Sequence, residues 1–291
     1  MRFADCVRGS LILTDGAWGT ELLKFSARWG ECVDAWNLTK PELVRRVAVS
    51  YLEAGSRVIL TNTFRANPIS LADSGLQDEC DAINRAGARI SREAAQSNAL
   101  VFASMGPSGR NLAKQDVTYN DLTKAFSRQA KALASEGPDA ILIETMTELA
   151  EARIAAAAAL ETGLPVLVSF FFTPEADQTR PFAQATPEQA AATLTSDGVH
   201  GIGANCGFGV REFLPLCKRL AAASPLPIWI KPNAGIPQIV EGKARYPVTP
   251  AEFACSAQEL AEAGTTFLGG CCGATPEFIR ALAKQPPFTK P

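Results

Sequence analysis

The sequence predicts an α/β protein built as a single (β/α)8 TIM barrel. Three observations predict it. Eight short apolar runs accompany eight longer segments of helical periodicity, the two kinds alternate strictly from end to end, and the long connections gather at one end of the strands. A count of eight selects the closed barrel over an open doubly wound sheet.

The first apolar run, Ser10–Thr14, opens onto a long connection, Asp15–Lys40, ahead of a helix over Pro41–Ala54. Gly55-Ser56 returns the chain to a second strand, Arg57–Asn62, which leads through Thr63–Gln77 into a helix over Asp78–Ser97. Asn98-Ala99 is the next short link, to a third strand at Leu100–Met105; Gly106–Tyr119 then precedes a helix over Asn120–Ser135. A fourth strand, Asp139–Glu144, is followed by a helix over Glu148–Glu161, the link Gly163-Leu164 and a fifth strand, Pro165–Phe170. After the connection Phe171–Ala185, Thr186-Pro187 supplies a cap and a first-turn proline for a helix over Pro187–Ser196. The sixth strand is Val199–Asn205, with its helix at Val210–Ala222, and the seventh is Pro227–Lys231, with the connection Asn233–Val248. Cap and proline recur at Thr249-Pro250 and Thr275-Pro276, starting helices over Pro250–Ala263 and Pro276–Ala283 on either side of the eighth strand, Thr265–Gly270.

Stability asks only for short connections, so length concentrated after the strands marks the working face, where barrel enzymes keep their sites. No linker or shift in composition divides the chain, and residues 1–291 are expected to form one domain.

With 47% hydrophobic and 20% charged residues and a net charge of -2, the chain has no basic run suited to nucleic acid or an anionic membrane. No stretch of 18 apolar residues could span a bilayer, and Met1 to Gly9 lacks the apolar region of a signal peptide, so a soluble, cytoplasmic protein is expected. Eight cysteines in a chain of this length read as reduced thiols or metal ligands rather than a disulfide framework. Cys6, Cys32, Cys80, Cys217 and Cys255 are scattered and read as free thiols. Cys206 and the adjacent Cys271 and Cys272 stand apart, each following an apolar run and surrounded by glycine.

The residues at the strand ends face a common mouth: Asp15, Asn62, Glu144, Asn205, Cys206, Lys231, Asn233, Cys271 and Cys272. An asparagine or aspartate at such a place can simply cap a loop, but together they bring two carboxylates and three thiols around one cavity. Strands six and eight share parity, so their ends can converge. Three thiolates with no fourth protein ligand would leave tetrahedral zinc one open position, the mark of a catalytic site, and soft sulfur favours zinc over magnesium, calcium or manganese. Gly207, Gly209, Gly269, Gly270 and Gly273 would let the backbone wrap closely; the same glycines also allow the plainer reading of a glycine-rich turn with incidental thiols. An open zinc trithiolate suits ionising an incoming thiol. Two nearby carboxylates suit pairing with an ammonium. A small aminothiol fits both.

These residues resemble the homocysteine-binding methyltransferases, the family of betaine–homocysteine methyltransferase, S-methylmethionine-dependent enzymes and the homocysteine module of cobalamin-dependent methionine synthase. The likeness rests on Thr14-Asp15-Gly16-Ala17-Trp18-Gly19-Thr20-Glu21, Thr61-Asn62-Thr63-Phe64, Leu142-Ile143-Glu144-Thr145, Ala204-Asn205-Cys206, Lys231-Pro232-Asn233-Ala234-Gly235 and Gly269-Gly270-Cys271-Cys272-Gly273. It implies that Cys206, Cys271 and Cys272 bind Zn2+ and activate the substrate thiol. It also implies that Asp15 and Glu144 hold the homocysteine amine, that backbone near Gly16 and Ala17 receives its carboxylate, and that Asn205 belongs to the substrate pocket. Ala17 stands where many relatives have glycine. The family's folate and cobalamin modules have no counterpart in these residues, so the chain alone is not expected to be a complete cobalamin-dependent methionine synthase.

The expected reaction is direct displacement: homocysteine thiolate attacks a methyl group on an onium donor (S-methylmethionine, S-adenosylmethionine or betaine) and becomes methionine. Cation–π contact could hold the donor, with Trp18, Trp36, Phe64 and Phe170–Phe172 as candidates and Trp36 favoured by its place in the long first connection. Two other readings are a Schiff-base aldolase at Lys231, which leaves the thiols unexplained, and a non-catalytic homocysteine-binding module serving a separate cobalamin protein. His200, the sole histidine, is expected to pack within strand six rather than serve as a ligand.

Overall fold

The structure is a computed structural model that describes residues 3, 11–25, 30–172, 185–240, 243–286 and 288. Cys6, Ser10 and residues 173–184 of the connection after strand five lie outside the described residues.

The strands are β1 (Ile12–Leu13), β2 (Val58–Leu60), β3 (Leu100–Met105), β4 (Ala140–Met146), β5 (Val166–Phe170), β6 (Gly201–Asn205), β7 (Ile228–Lys231), β8 (Gln238–Val240), β9 (Lys243–Arg245) and β10 (Phe267–Leu268). Eight of them form one parallel sheet in the order β1-β10-β7-β6-β5-β4-β3-β2; β8 and β9 pair only with each other. The seam between β2 and β1 is bridged by Arg57 N–H donating to the Leu13 carbonyl at 2.8 Å and Leu60 N–H donating to the Asp15 carboxylate at 2.7 Å. The molecule is therefore a (β/α)8 TIM barrel. Every residue of β2, β3 and β5 is buried, as expected of parallel strands covered on both faces, and this is why they read as continuous apolar runs.

Among the described residues eight main helices cover the barrel, at Pro41–Glu53, Cys80–Ala95, Tyr119–Ala134, Leu149–Leu160, Pro187–Ser196, Val210–Ala223, Pro250–Glu262 and Pro276–Ala283. Their starts follow from local chemistry. Thr186 and Thr249 each accept from the backbone three residues on, while Gln189 and Glu252 reach back to the threonine N–H groups, an arrangement worth about 0.5–2 kcal/mol per helix. Inside the barrel, rings from β3, β7 and β10 meet: Phe102 lies 5.8 Å from Trp229 and 5.5 Å from Phe267.

His200 departs from expectation. It precedes β6, is exposed, and its Nδ1 accepts from Val166 N–H at 3.2 Å; β6 begins at Gly201, two residues after the expected start at Val199. The connections also hold more structure than expected, with short helices at Trp18–Leu23, Trp36–Thr39 and Pro68–Ala72 and the β8–β9 hairpin after β7. Among the described residues no helix is long and apolar enough to cross a membrane.

Candidate metal centre and substrate pocket

The three singled-out cysteines meet at the C-terminal mouth of the barrel. β6 ends at Asn205, and the chain then turns through left-handed backbone, with φ +68° at Cys206 and +84° at Gly207. A non-glycine residue in that region costs on the order of 1–3 kcal/mol and persists where its surroundings hold it; here Cys206 N–H donates to the Lys231 carbonyl at 3.0 Å. The loop after β10 is laced to the loop after β7: Cys271 N–H donates to the Pro232 carbonyl at 2.7 Å, and Ala234 N–H to the Cys272 carbonyl at 3.0 Å. The three sulfurs lie within 4.8 Å of one another, with Cys206 and Cys272 at 3.9 Å.

That donor set fits zinc. Three sulfurs at about 2.3 Å from one tetrahedral zinc stand roughly 3.8 Å apart. The thiols also oppose their own ionisation. Contact with Cys271 lowers the Cys206 thiol, but contact with Cys272 and burial outweigh it and push it up to about 12. Contact with Cys206 and burial push Cys271 well up. A bound dication supplies the charge that lets such a group ionise. The remaining described cysteines join no such cluster: Cys80 and Cys217 are buried, Cys255 is exposed and Cys32 is half-buried.

Beside the thiols lies a buried charged group. Asp15 is closed on all sides: Oδ2 accepts from Trp18 Nε1 at 2.7 Å and Leu60 N–H at 2.7 Å, and Oδ1 accepts from Lys231 Nζ at 2.5 Å. Burial acts to lower the Lys231 ammonium, but Asp15 and Glu144 outweigh it and hold it above its ordinary value. Glu144, also buried, accepts from Ser104 Oγ at 2.5 Å. Burial raises its carboxyl above the ordinary carboxylate range, against the opposite pull of Lys231 and the Ser104 hydroxyl. Asp15 and Glu144 thus share one pocket but differ in what they offer. Asp15 has three donors already, whereas Glu144 has one hydroxyl.

Other expected site residues are placed differently. Ala17 N–H already donates to the Ala274 carbonyl at 3.0 Å, and the Ala17 carbonyl accepts from Tyr51 Oη at 2.9 Å, so its backbone is engaged; Gly16 offers its carbonyl to Lys231 Nζ at 3.4 Å. Asn205 acts as a clamp: Oδ1 accepts from Thr145 N–H at 2.9 Å and Ser169 Oγ at 2.6 Å, and Nδ2 donates to Thr145 Oγ1 at 2.7 Å. This holds Thr145 at φ +62°, an uncommon conformation for a β-branched residue, directly after Glu144. Trp36 is 2% exposed, donates from Nε1 to Glu31 at 2.6 Å, and has the Lys40 ammonium 3.6 Å over its ring. Its cation–π face is already taken, which removes the reason for favouring it. Trp18 is engaged with Asp15, and Phe170 and Phe172 are buried with rings 5.5 Å apart. Phe171 instead borders Gly207, next to Cys206.

Tyr246 was not singled out from sequence. It follows β9, and burial, with the Cys272 sulfur nearby, raises the pKa of its hydroxyl. Its ring occupies the space where a Cβ on Gly273 would stand, and Gly273 has φ +81°. A lone tyrosine in a polar connection carries no sequence signal for such a contact.

A family model described as homocysteine S-methyltransferase matches residues 12–285. Methionine synthase of Mycobacterium leprae is 29% identical over 290 residues, which cover 94% of this chain and 24% of that protein. Methionine synthase of Mycobacterium tuberculosis is likewise 29% identical, over 299 residues covering 96% of this chain and 25% of that one. The chain thus spans about a quarter of the length of these curated relatives. Among solved structures, the metallated homocysteine methyltransferase MmuM of Escherichia coli has the same fold, with a TM-score of 0.80, 22% identity, and coverage of 96% of this chain and 98% of that one.

Proposed function

The chain belongs to the homocysteine S-methyltransferase family, and from that premise we propose that it transfers a methyl group from an onium donor to the thiolate of homocysteine, giving methionine, with zinc held by Cys206, Cys271 and Cys272. In this reading residues 1–291 work as one homocysteine-binding barrel domain, in the cytoplasm. The observation that carries the reading is the convergence of three sulfurs, within 4.8 Å of one another, at the mouth that also holds the buried Glu144.

Zinc, when bound, would supply the positive charge that keeps a substrate thiol ionised near neutral pH. Glu144 would pair with the substrate ammonium, because its carboxylate has a single hydroxyl partner and lies in a largely desolvated pocket where such a pair is strong. Lys231 would hold Asp15 in place, and Asn205, through Thr145, would fix the backbone that presents Glu144. Phe171, which borders Gly207, would be an aromatic near the thiols for a cationic donor. In the transfer, the homocysteine thiol gives its proton to solvent, its sulfur forms a bond to the methyl carbon, and the donor's carbon–sulfur or carbon–nitrogen bond breaks. The electron pair of that bond leaves on a neutral thioether or tertiary amine. The protein's part is alignment and exclusion of water. S-methylmethionine, S-adenosylmethionine and betaine each meet these requirements.

A second reading is favoured by one finding, that the chain spans about a quarter of its methionine synthase relatives: the barrel would bind homocysteine for a methyl-carrying cobalamin protein. Incubating the zinc-loaded chain with homocysteine and each small donor in turn separates the two. Methionine formation from a small onium compound supports the direct transferase; methionine only on addition of methylcobalamin supports the binding module.

A further inference from the structure

Ser104 carries the one polar side chain of β3, whose other residues are Leu100, Val101, Phe102, Ala103 and Met105. The backbone pairing of β2 with β3 ends at Leu60 and Phe102, and beyond it side chains of the loop after β2 take over. Thr61 Oγ1 accepts from Ser104 N–H at 2.9 Å, and Thr63 Oγ1 donates to the Ser104 carbonyl at 2.7 Å. A hydroxyl has one hydrogen to give. Thr63 gives its own to Ser104, so in the 2.5 Å contact between the two threonines Thr61 is the donor. Backbone contact resumes where Gly106 N–H donates to the Phe64 carbonyl at 2.8 Å. Thr61, Thr63 and Ser104 are all buried. The two threonines therefore clasp the Ser104 backbone from both sides and leave its hydroxyl to Glu144, to which it donates at 2.5 Å.

That hydrogen bond falls on Oε1 of Glu144; among the described residues the other oxygen, Oε2, has no hydrogen-bond partner. On the far side of β4, Asn205 grips Thr145, the next residue, at its N–H and its hydroxyl. Glu144 is thus fixed at its backbone from β6 and at its carboxylate from β3. Lys231 and Asp15 act on Glu144 by charge, in opposite senses, but they are bonded to each other. Ser104 is the contact that orients the carboxylate. A hydroxyl in an otherwise apolar buried strand is costly unless it is satisfied, and here it is satisfied by Glu144.

We propose that Ser104 is a positioning residue for recognition of the substrate amine: its hydroxyl, set in place by Thr61 and Thr63, holds Oε1 of Glu144 so that Oε2 is presented to the incoming ammonium. The proposal rests on the reading of Glu144 as the partner of that ammonium. Hydrogen bonds to an ionised carboxylate are among the stronger ones in proteins. A carboxylate already held in one orientation also loses less freedom when the ammonium binds. Ser104 thereby favours thiols that carry an ammonium over thiols that lack one, without touching the substrate itself.

The test measures, by calorimetry under reducing conditions, the binding of homocysteine and of 4-mercaptobutyrate to the zinc-loaded chain. The second ligand is homocysteine without its amine. Wild type, Ser104→Ala, Glu144→Gln and the double variant are compared. Ser104→Ala leaves the threonine clasp in place, because the clasp holds the backbone, and circular dichroism should show the variant folded. The expected result is homocysteine binding weakened about tenfold or more in Ser104→Ala, the scale of a hydrogen bond to a charged group, with 4-mercaptobutyrate binding unchanged. In the Glu144→Gln background Ser104→Ala should add no further loss. A packing role alone would weaken both ligands alike, and in both backgrounds. Wild-type affinity for homocysteine in Ser104→Ala, equal losses for the two ligands, or a variant that no longer folds overturns the proposal. The reading of Glu144 survives any of these as long as Glu144→Gln loses the preference for homocysteine. A wild-type chain that binds the two thiols equally overturns both.

Discussion

Lys231 Nζ lies 2.5 Å from Asp15 Oδ1, with both side chains buried, and this pair joins β7 to the end of β1 directly beneath the cysteine loops. Asp15 also receives Leu60 N–H across the barrel seam, so one carboxylate serves both the closure of the fold and the placement of a buried cation. Removing one partner of such a pair leaves an uncompensated buried charge and costs about 3–5 kcal/mol, whereas removing both is far milder. Lys231→Met and Asp15→Asn should each lower stability in urea titration by that amount, and the double variant should recover much of the loss. Additive losses in the double variant would show that the two groups do not act as a pair.

Glu144 is expected to govern recognition of the amine. Loss of a desolvated ammonium partner costs about 3–5 kcal/mol, and about 1.4 kcal/mol corresponds to a factor of ten. Glu144→Gln should therefore lower kcat/KM for homocysteine by at least about a hundredfold while zinc content stays constant. Wild type should strongly prefer homocysteine to 3-mercaptopropionate, which lacks the amine. The variant should lose most of that preference; a retained preference would place the ammonium elsewhere.

Asp34, in the first connection, gives a pH signature independent of the metal. Burial raises its carboxyl from an ordinary 3.8 to about 6, against the Arg65 N–H that donates to it at 2.9 Å. A folded-state pKa above the unfolded one contributes stability that is complete below about pH 4 and lost as pH rises through about 6. Asp34→Asn keeps an acceptor for Arg65 N–H and removes that loss. The metal-free variant should be more stable than wild type at pH 7 by on the order of 2–3 kcal/mol, with the gain vanishing near pH 4. Equal wild-type and variant stabilities at pH 7 would contradict the buried, raised carboxyl.

The contrast between what could and could not be read in the chain follows from the range of the interactions. β3 was legible because a doubly covered parallel strand must be apolar throughout, and Thr186-Pro187 and Thr249-Pro250 because capping is settled within four residues. Cys206, Cys271 and Cys272 could be grouped because strands six and eight of a barrel share parity. Lys231 is legible as a strand-end residue, with a Schiff-base lysine as the alternative, but not as half of a buried ion pair, since its partner Asp15 lies 216 positions away. Trp36 looked available among polar neighbours, but Lys40 covers its ring. Asn205 could be placed at the mouth, yet only the fold shows its amide held by Thr145 and Ser169. The three-residue strands β8 and β9 are too short for alternation to stand out, and Tyr246 was hidden with them.

The measurement that bears most directly on the account is zinc content, by elemental analysis of the purified chain and of single alanine variants. The expected result is about one zinc per chain in wild type and in Cys255→Ala, whose thiol is exposed and outside the cluster, with zinc lost in Cys206→Ala, Cys271→Ala and Cys272→Ala. Far-ultraviolet circular dichroism should show the depleted variants still folded, because the ligands sit at the ends of an already supported barrel. A full zinc complement in a folded Cys272→Ala protein would contradict the account.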